Sequence, residues 1–409
     1  MKKILIVAQF TQLPGEKGNN RGRFKLISEL LVKEGYDVTV VTSRFRELDR
    51  TFRKDDVLYK EAPYKVEILD EFGYYKNISL RRIYSMWSFT KSLKNFLKNT
   101  NEEFDLVYAC VPGLDSALAA GNYANEKNIP FVIDVQDVWP EVMYDLVLDV
   151  PILSDLLFSP LRIMANKVYS LADGIMAVSK TYLDIAAKKN RKSVKNDYVY
   201  IGTNLETYVS DIKICDSSKI IEKRQGEFWV AYIGSLGHSY DINTFIKGAK
   251  IALDKGINIK PIILGSGPLE NEFKAFADDI GSNAIFTGWV DHTTMRNYLQ
   301  KSDAVINAIK RKAPQSITNK IGDYLSSGRP ILNGSLNNEF LELLESYKFG
   351  INYQPEDPRS LAAAMEKMYK MSHVERDCMG KNARGLAEEK FDRKKTYLKI
   401  VEMVNGLVE

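Results

Sequence analysis

The sequence predicts an α/β protein of two Rossmann-like, doubly wound domains facing across a cleft, followed by C-terminal helices. Three observations carry this prediction. Short, continuously apolar runs alternate with segments of helical period. The alternation occurs twice, with a polar, aperiodic stretch at Glu206–Glu227 between the two series. A length of 409 residues with 45% hydrophobic content is enough for two full cores.

In the first domain, expected over 1–205, strands are predicted at Lys3–Ala8, Asp37–Thr42, Lys65–Leu69, Leu106–Cys110, Phe131–Val135, Gly174–Val178 and Tyr198–Ile201. Continuous apolar strands separated by helices indicate a parallel sheet covered on both faces. The Gly22–Glu34 segment sets Phe24, Leu26, Ile27, Leu30 and Leu31 on one side, as a covering helix requires. The second domain, expected over 206–385, repeats the pattern with strands at Phe228–Ile233, Lys260–Leu264, Ala284–Phe286, Ala304–Asn307, Pro330–Leu332 and Gly350–Asn352. After Pro358 the chain is helical, and residues 386–409 include a helix at Thr396–Val408 suited to pack back on the first domain. Doubly wound sheets bind ligands at the carboxyl ends of their strands, so the loops there are where chemistry is sought.

Composition narrows the function classes. A net charge of +4 is too small for a dedicated nucleic-acid binder. Three scattered cysteines without metal spacing fit a reducing compartment. The apolar run at the start is too short for a signal peptide and reads as a buried strand. No stretch approaches the ~18 uninterrupted apolar residues of a membrane span. A cytoplasmic location is expected.

Six motifs stand out. PGEKGNNRGRF (Pro14–Phe24) has Gly15, Gly18 and Gly22 for close backbone approach, and Arg21 and Arg23 to hold a phosphate at a helix start. It lacks the GxGxxG spacing of a dinucleotide site, and a plain surface turn is the alternative. YIGSLGHSYD (Tyr232–Asp241) repeats the arrangement with Gly234, Gly237 and Asp241; His238 is either a ligand contact or a solvent-facing loop residue. ILGSGPLENEF (Ile263–Phe273) is best explained as turn chemistry, with Ser266 as a cap and Pro268 opening a helix. DVQDVWPEVMYDL (Asp134–Leu146) clusters Asp134, Asp137 and Glu141 around Trp139, which suits sugar hydroxyls and stacking on a sugar's apolar face, or else an acidic structural turn. RRIYSMWSFTKSLKNFLK (Arg81–Lys98) sets Ile83, Met86, Trp87, Thr90, Leu93, Phe96 and Leu97 on one side with only positive charges elsewhere. That pattern fits a helix lying on an anionic bilayer, or an ordinary core-facing helix with a solvated basic face. QSITNKIGDYLSSGRP (Gln315–Pro330) places Lys320 and Asp323 three apart on a short helix ending at Gly328, as a surface ion pair or as two ligand contacts.

In this order the motifs resemble the retaining glycosyltransferases of family 4, which have the GT-B fold. VQDVWPE looks like the RDLWPE signature of a polysaccharide-assembly branch; ADGIMAVS (Ala172–Ser179), FTGWV (Phe286–Val290) and TNKIGDYLSSGRPIL (Thr318–Leu332) add to the likeness, which spans nearly the whole chain. The resemblance implies transfer of a sugar from a nucleotide donor, usually UDP-linked, with retained anomeric configuration. The donor would bind the second domain through Gly234, Gly237, His238, Thr318 and Asn319. Gly288, Trp289 and Val290 would line the base and Asp323 the ribose, while Gly18 and Gly237 approach the diphosphate. The acceptor would bind the first domain through Asp134, Trp139, Glu141 and Arg21, with Asp137 orienting it. No metal and no cofactor beyond the nucleotide-sugar substrate is implied. The chain departs from the family in two places. The earlier of two family glutamates is Gln315, and the Arg/Lys pair of the second glycine loop is replaced near Ser235 and Tyr240. Lys320 is then the first choice to meet the diphosphate, with Arg311 or Lys312 behind it.

The expected function is extension of a polyprenyl-diphosphate-linked saccharide in surface polysaccharide synthesis, lipopolysaccharide or capsule, by a hexosyl- or N-acetylhexosaminyltransferase. The enzyme would be cytoplasmic and peripheral on the inner membrane surface. A sugar-nucleotide epimerase of the same fold and a non-catalytic nucleotide-sugar-binding partner are the alternatives.

Overall fold

In the computed structural model, β1 (Lys3–Val7) is buried from Ile4 onward, as its uninterrupted apolar run requires. The structure describes residues 1–16, 22–54, 59, 62–76, 79–140, 151–192, 194–210, 221–313 and 317–409, with the backbone alone for 151–157 and 209–210. Beyond β1 the first series comprises β2 (Asp37–Ser43), a short antiparallel pair β3 (Phe45–Arg46) and β4 (Thr51–Phe52), β5 (Lys65–Leu69), β6 (Leu106–Val111), β7 (Phe131–Val135), β8 (Gly174–Ala177) and β9 (Lys195–Tyr198). Seven of these form one parallel sheet in the order β5-β2-β1-β6-β7-β8-β9. The outermost strand lies earlier than the predicted Tyr198–Ile201. Val199 and Tyr200 are buried, but they leave the ladder after Val199 N–H bonds to Ala177 O at 2.8 Å.

The second series is β10 (Phe228–Ile233), β11 (Ile259–Leu264), β12 (Ile285–Gly288), β13 (Ala304–Asn307), β14 (Ile331–Asn333) and β15 (Gly350–Asn352). They form a parallel sheet in the order β12-β11-β10-β13-β14-β15. Each series is a Rossmann-like half. The expected linker holds a helical turn at Thr207–Ser210, and 211–220 lie outside the described residues.

The chain divides into two compact units, Met1–Tyr200 with Tyr397–Glu409, and Ile201–Thr396. Within the first, the final helix Leu398–Val408 inserts Ile400, Val401 and Val404 among Ile4, Ile6, Leu106 and Met176. Its apolar stripe therefore completes the core over one face of the sheet. Within the second, Tyr232 and Ile263 from the sheet meet Phe245 and Ile246 of helix Ile242–Asp254 and Leu361 and Met365 of helix Pro358–Lys370. That last helix opens with its proline at the first turn, where no N–H partner is lost. Among the described residues, no helix is long and apolar enough to cross a membrane.

Candidate functional site

In the second unit the strand ends interlock. Gly234, directly after β10, has φ +133°, and Gly265, directly after β11, has φ +140°. A Cβ on Gly265 would lie 1.8 Å from the Gly234 carbonyl oxygen, so the two turns touch backbone to backbone. Gly234 N–H donates to Leu264 O, Leu236 N–H to Ser266 O and Gly265 N–H to Gly288 O at the end of β12. ILGSGPLENEF is thus a brace for the YIGSLGHSYD turn. The helix it leads into is Glu270–Asp279 with Leu269 at the cap, so neither Pro268 nor Ser266 has the expected role.

Against the Gly234 turn stands Lys320, second residue of the helix Asn319–Ser326. It is only 8% exposed. Its Nζ donates to Tyr232 Oη at 3.1 Å, and that hydroxyl donates onward to Ser235 O at 2.8 Å. The same Nζ lies 4.2 Å from the Tyr232 ring centroid and 3.7 Å from that of Tyr240. A Cβ on Gly234 would come within 3.2 Å of it, so the glycine leaves room for the amine. Among the described residues no carboxylate pairs with Lys320, and burial drives its pKa well below the ordinary lysine value. Thr318, at the helix N-cap, has its Oγ1 buried without a partner among the described residues.

Asp323 does not share this environment. Its Oδ1 accepts from Tyr208 Oη at 2.7 Å and Thr203 Oγ1 at 3.4 Å, with His292 Nε2 at 3.6 Å, and the residue is 6% exposed. The surface ion pair between Lys320 and Asp323 that spacing allows is therefore not formed: burial places one in an aromatic box and the other in a polar cluster. His292 opens helix His292–Lys301 just past the FTGWV motif. Sequence reasoning missed it, although its place beside that motif and the rarity of histidine were both visible. Gly288 has φ +68°, Trp289 is 74% exposed and Val290 is half-buried. His238 and Asn319 are exposed, and Gly237 is open beside Ser235. Lys310 N–H bonds to Ser239 O at 3.1 Å, and Tyr240 bridges Ile309, which keeps the basic run Lys310–Lys312 beside the turn.

In the first unit Asp134 and Asp137, the first two acids of DVQDVWPEVMYDL, part. Asp134 lies inside β7, fully buried, and takes Arg23 Nε at 2.9 and 3.1 Å and Tyr108 Oη at 2.6 Å. Arg23 also donates to Val199 O at 3.1 Å and lies over the Tyr397 ring. Both expectations for this pair are corrected. Asp134 is not open to an acceptor sugar, nor Arg23 to a phosphate, because each neutralises the other in the core. Asp137, past the strand end, accepts from Val138 N–H at 3.0 Å, Trp139 Nε1 at 3.3 Å and Tyr182 Oη at 3.3 Å. Burial nevertheless raises its pKa, because desolvation outweighs these bonds and the nearby Arg82 charge. Trp139, followed by a cis bond to Pro140, has the Arg82 guanidinium 5.1 Å from its ring. Gly18, Arg21, Glu141 and Gln315 lie outside the described residues.

The basic amphipathic segment is a helix, Leu80–Asn99, capped by Ser79, whose hydroxyl accepts from Arg82 N–H. Phe89, Leu93 and Leu97 face the core. Ile83 and Trp87 do not join them as expected: with Leu80 and Tyr84 they are half-exposed or more, and Lys91, Lys94 and Lys98 continue the same outer stripe. Phe72, Tyr84 and Trp87 form a ladder of rings at 4.7 and 5.6 Å, with Lys91 over the last. Arg82 instead turns inward to Glu47 at 3.2 Å.

Two Rossmann-like units, one holding a buried lysine against a glycine turn, define an α/β protein with a candidate site at the strand ends of the second unit. Comparisons with known proteins make the class specific. Residues 24–207 match the family model described as Glycosyltransferase Family 4, and 227–371 match that described as Glycosyl transferases group 1. The chain is thus made of two glycosyltransferase domains and is a glycosyltransferase of the GT-B fold. No curated protein matches its sequence. Among solved structures it is similar to sucrose-phosphate synthase from Thermosynechococcus elongatus, at 15% identity and TM-score 0.74, covering 100% of this chain and 99% of that one. It is also similar to Anabaena Alr3699/HepE in complex with UDP, at 17% identity and TM-score 0.67 with both chains covered in full. A third is WaaG, a glycosyltransferase involved in lipopolysaccharide biosynthesis, at 13% identity and TM-score 0.64, covering 98% and 100%. At these identities the likeness is one of fold.

Proposed function

We propose that this glycosyltransferase moves a hexosyl or N-acetylhexosaminyl group from a nucleotide donor, UDP-linked in the first instance, to a lipid-linked saccharide with retention of configuration. The observation that carries the donor half is Lys320. A buried amine with no acid partner among the described residues, at a helix start and against an open glycine turn, calls for an anion, and a nucleotide diphosphate supplies one. Lys310–Lys312, tied beside the same turn, add positive charge. Binding of UDP and UDP-glucose by the structurally similar Anabaena protein supports the nucleotide class.

As the bond from the anomeric carbon to the diphosphate breaks, Lys320 and the helix N-terminus stabilise the charge left on the phosphate. The acceptor oxygen forms the new bond on the same face and gives its proton to the departing phosphate oxygen. Asp137, half-buried at the β7 end with Trp139 beside it, orients the acceptor by taking a hydroxyl hydrogen bond. Asp323 meets the ribose through the polar cluster it shares with Tyr208 and His292.

The outer stripe of helix Leu80–Asn99 supports a lipid-bearing acceptor. Apolar and aromatic residues at one end and lysines at the other match the layers of an anionic membrane surface, here the cytoplasmic face of the inner membrane. The test is transfer of radiolabelled sugar from a nucleotide-sugar panel to polyprenyl-diphosphate-linked saccharides. Transfer with one donor is expected. No transfer from any donor, or an isomerised nucleotide sugar formed without acceptor, would overturn the assignment.

A further inference from the structure

The aromatic box around Lys320 sets a charge problem. The amine is the second residue of helix Asn319–Ser326, where unsatisfied N–H groups make the potential positive and disfavour a cation. Among the described residues the titratable groups around it are Tyr232 on β10, Tyr240 before helix Ile242–Asp254, and Tyr324 on its own helix, whose hydroxyl bonds to the Ile233 backbone. Burial raises the pKa of all three phenols, so none carries negative charge near neutrality. The other acids nearby are engaged elsewhere: Asp323 with Tyr208, and Asp241 with the Glu356 backbone. Ring faces and a single hydroxyl recover only part of what it costs to bury an ammonium.

We propose that Lys320 rests as the neutral amine and takes up one proton from solvent when a nucleotide diphosphate enters the site. The proton joins the Nζ lone pair, and the resulting ammonium donates to phosphate oxygens while keeping its bond to Tyr232 Oη. Donor binding then depends on pH without any change in the nucleotide. This rests on the reading that Lys320 meets the donor diphosphate. The sign follows from linkage: above the pKa Lys320 has in the free protein, the bound state holds more protons than the free state. Affinity therefore falls as pH rises, by up to about tenfold per pH unit between the pKa of the free protein and that of the bound state, and levels off above the latter.

The test is titration calorimetry of the whole chain with UDP, or with whichever of GDP, CDP and TDP binds, at about pH 8, where a phosphate with its second pKa near ~6 is already ionised. Measured in buffers of different ionisation enthalpy, the slope of observed heat against buffer heat counts the protons. The expected slope is uptake of about one proton. Lys320→Arg, which stays charged, should bind with no uptake, and Lys320→Met should bind at least about tenfold more weakly, also without uptake. Melting temperatures confirm that each variant folds. Binding by the wild type with zero slope overturns the proposal and leaves the donor reading standing. Undiminished uptake in Lys320→Met places the proton elsewhere and overturns it as well. No binding of any nucleoside diphosphate defeats the donor reading itself, and this proposal with it.

Discussion

Asp134→Ala should destabilise the first unit severely while leaving the chemistry of the second untouched. The pair it belongs to is dry: the Arg23 side chain is 3% exposed and that of Asp134 0%. Removing one partner strands the other, which costs ~3–5 kcal/mol for a buried ion pair. The Tyr108 hydroxyl loses its acceptor in the same stroke, a cost of ~1–3 kcal/mol that overlaps with the first because one carboxylate serves both. We take ~4 kcal/mol, which for a unit of about 200 residues is a fall in melting temperature of roughly 8–16 °C. The double variant Arg23→Met/Asp134→Leu fills the space with apolar atoms and should recover most of the loss, since well-packed hydrophobic replacements of buried pairs are often neutral. Thermal and urea denaturation followed by circular dichroism measure both. If Asp134→Ala melts like the wild type but binds acceptor poorly, the assignment of Asp134 to the core is wrong.

Other outcomes follow from named contacts. Gly265→Ala drives a Cβ into the Gly234 carbonyl and should cost more than ~3 kcal/mol and weaken nucleotide binding, read by denaturation and calorimetry together. Asp137→Asn should lower transfer by about a hundredfold with donor affinity unchanged; equal transfer would remove Asp137 from the acceptor site. Because burial raises the Asp137 pKa, the folded state holds its proton to higher pH than the unfolded chain. Its contribution to stability is thus present at low pH and lost as pH rises through the folded value, and Asp137→Asn should flatten that part of the profile. Ile83→Glu with Trp87→Glu should abolish flotation with anionic vesicles while leaving the melting temperature within a few degrees, because both side chains are solvent-facing; unchanged flotation would return the stripe to an ordinary surface.

Periodicity made most of the fold legible. Every buried parallel strand was readable because doubly covered strands are continuously apolar; bounds elsewhere moved by two residues at most, and the edge strand β9 by three, where burial continues past the last ladder bond. The hairpin of β3 and β4 has two residues per strand, too few for any period. Site residues were harder. Asp134 and Asp137 look alike in the sequence, and only position relative to the last ladder residue sends one to the core and leaves the other half-buried past the strand end. Spacing placed Lys320 and Asp323 together, but which neighbours each meets depends on Tyr232, Tyr240 and Tyr208, distant in the chain. The Leu80–Asn99 helix carries two apolar stripes, and periodicity does not say which one the core takes.

The placement of Tyr397–Glu409 in the first unit has a consequence for synthesis. The second unit is continuous in sequence, Ile201–Thr396, so all its parts have left the ribosome before the first unit receives its last helix. The first sheet must therefore wait with the face around Ile4, Leu106 and Met176 uncovered while about two hundred further residues emerge. A released chain ending at Thr396 should hold a finished second unit and a first unit that binds hydrophobic dyes and chaperones.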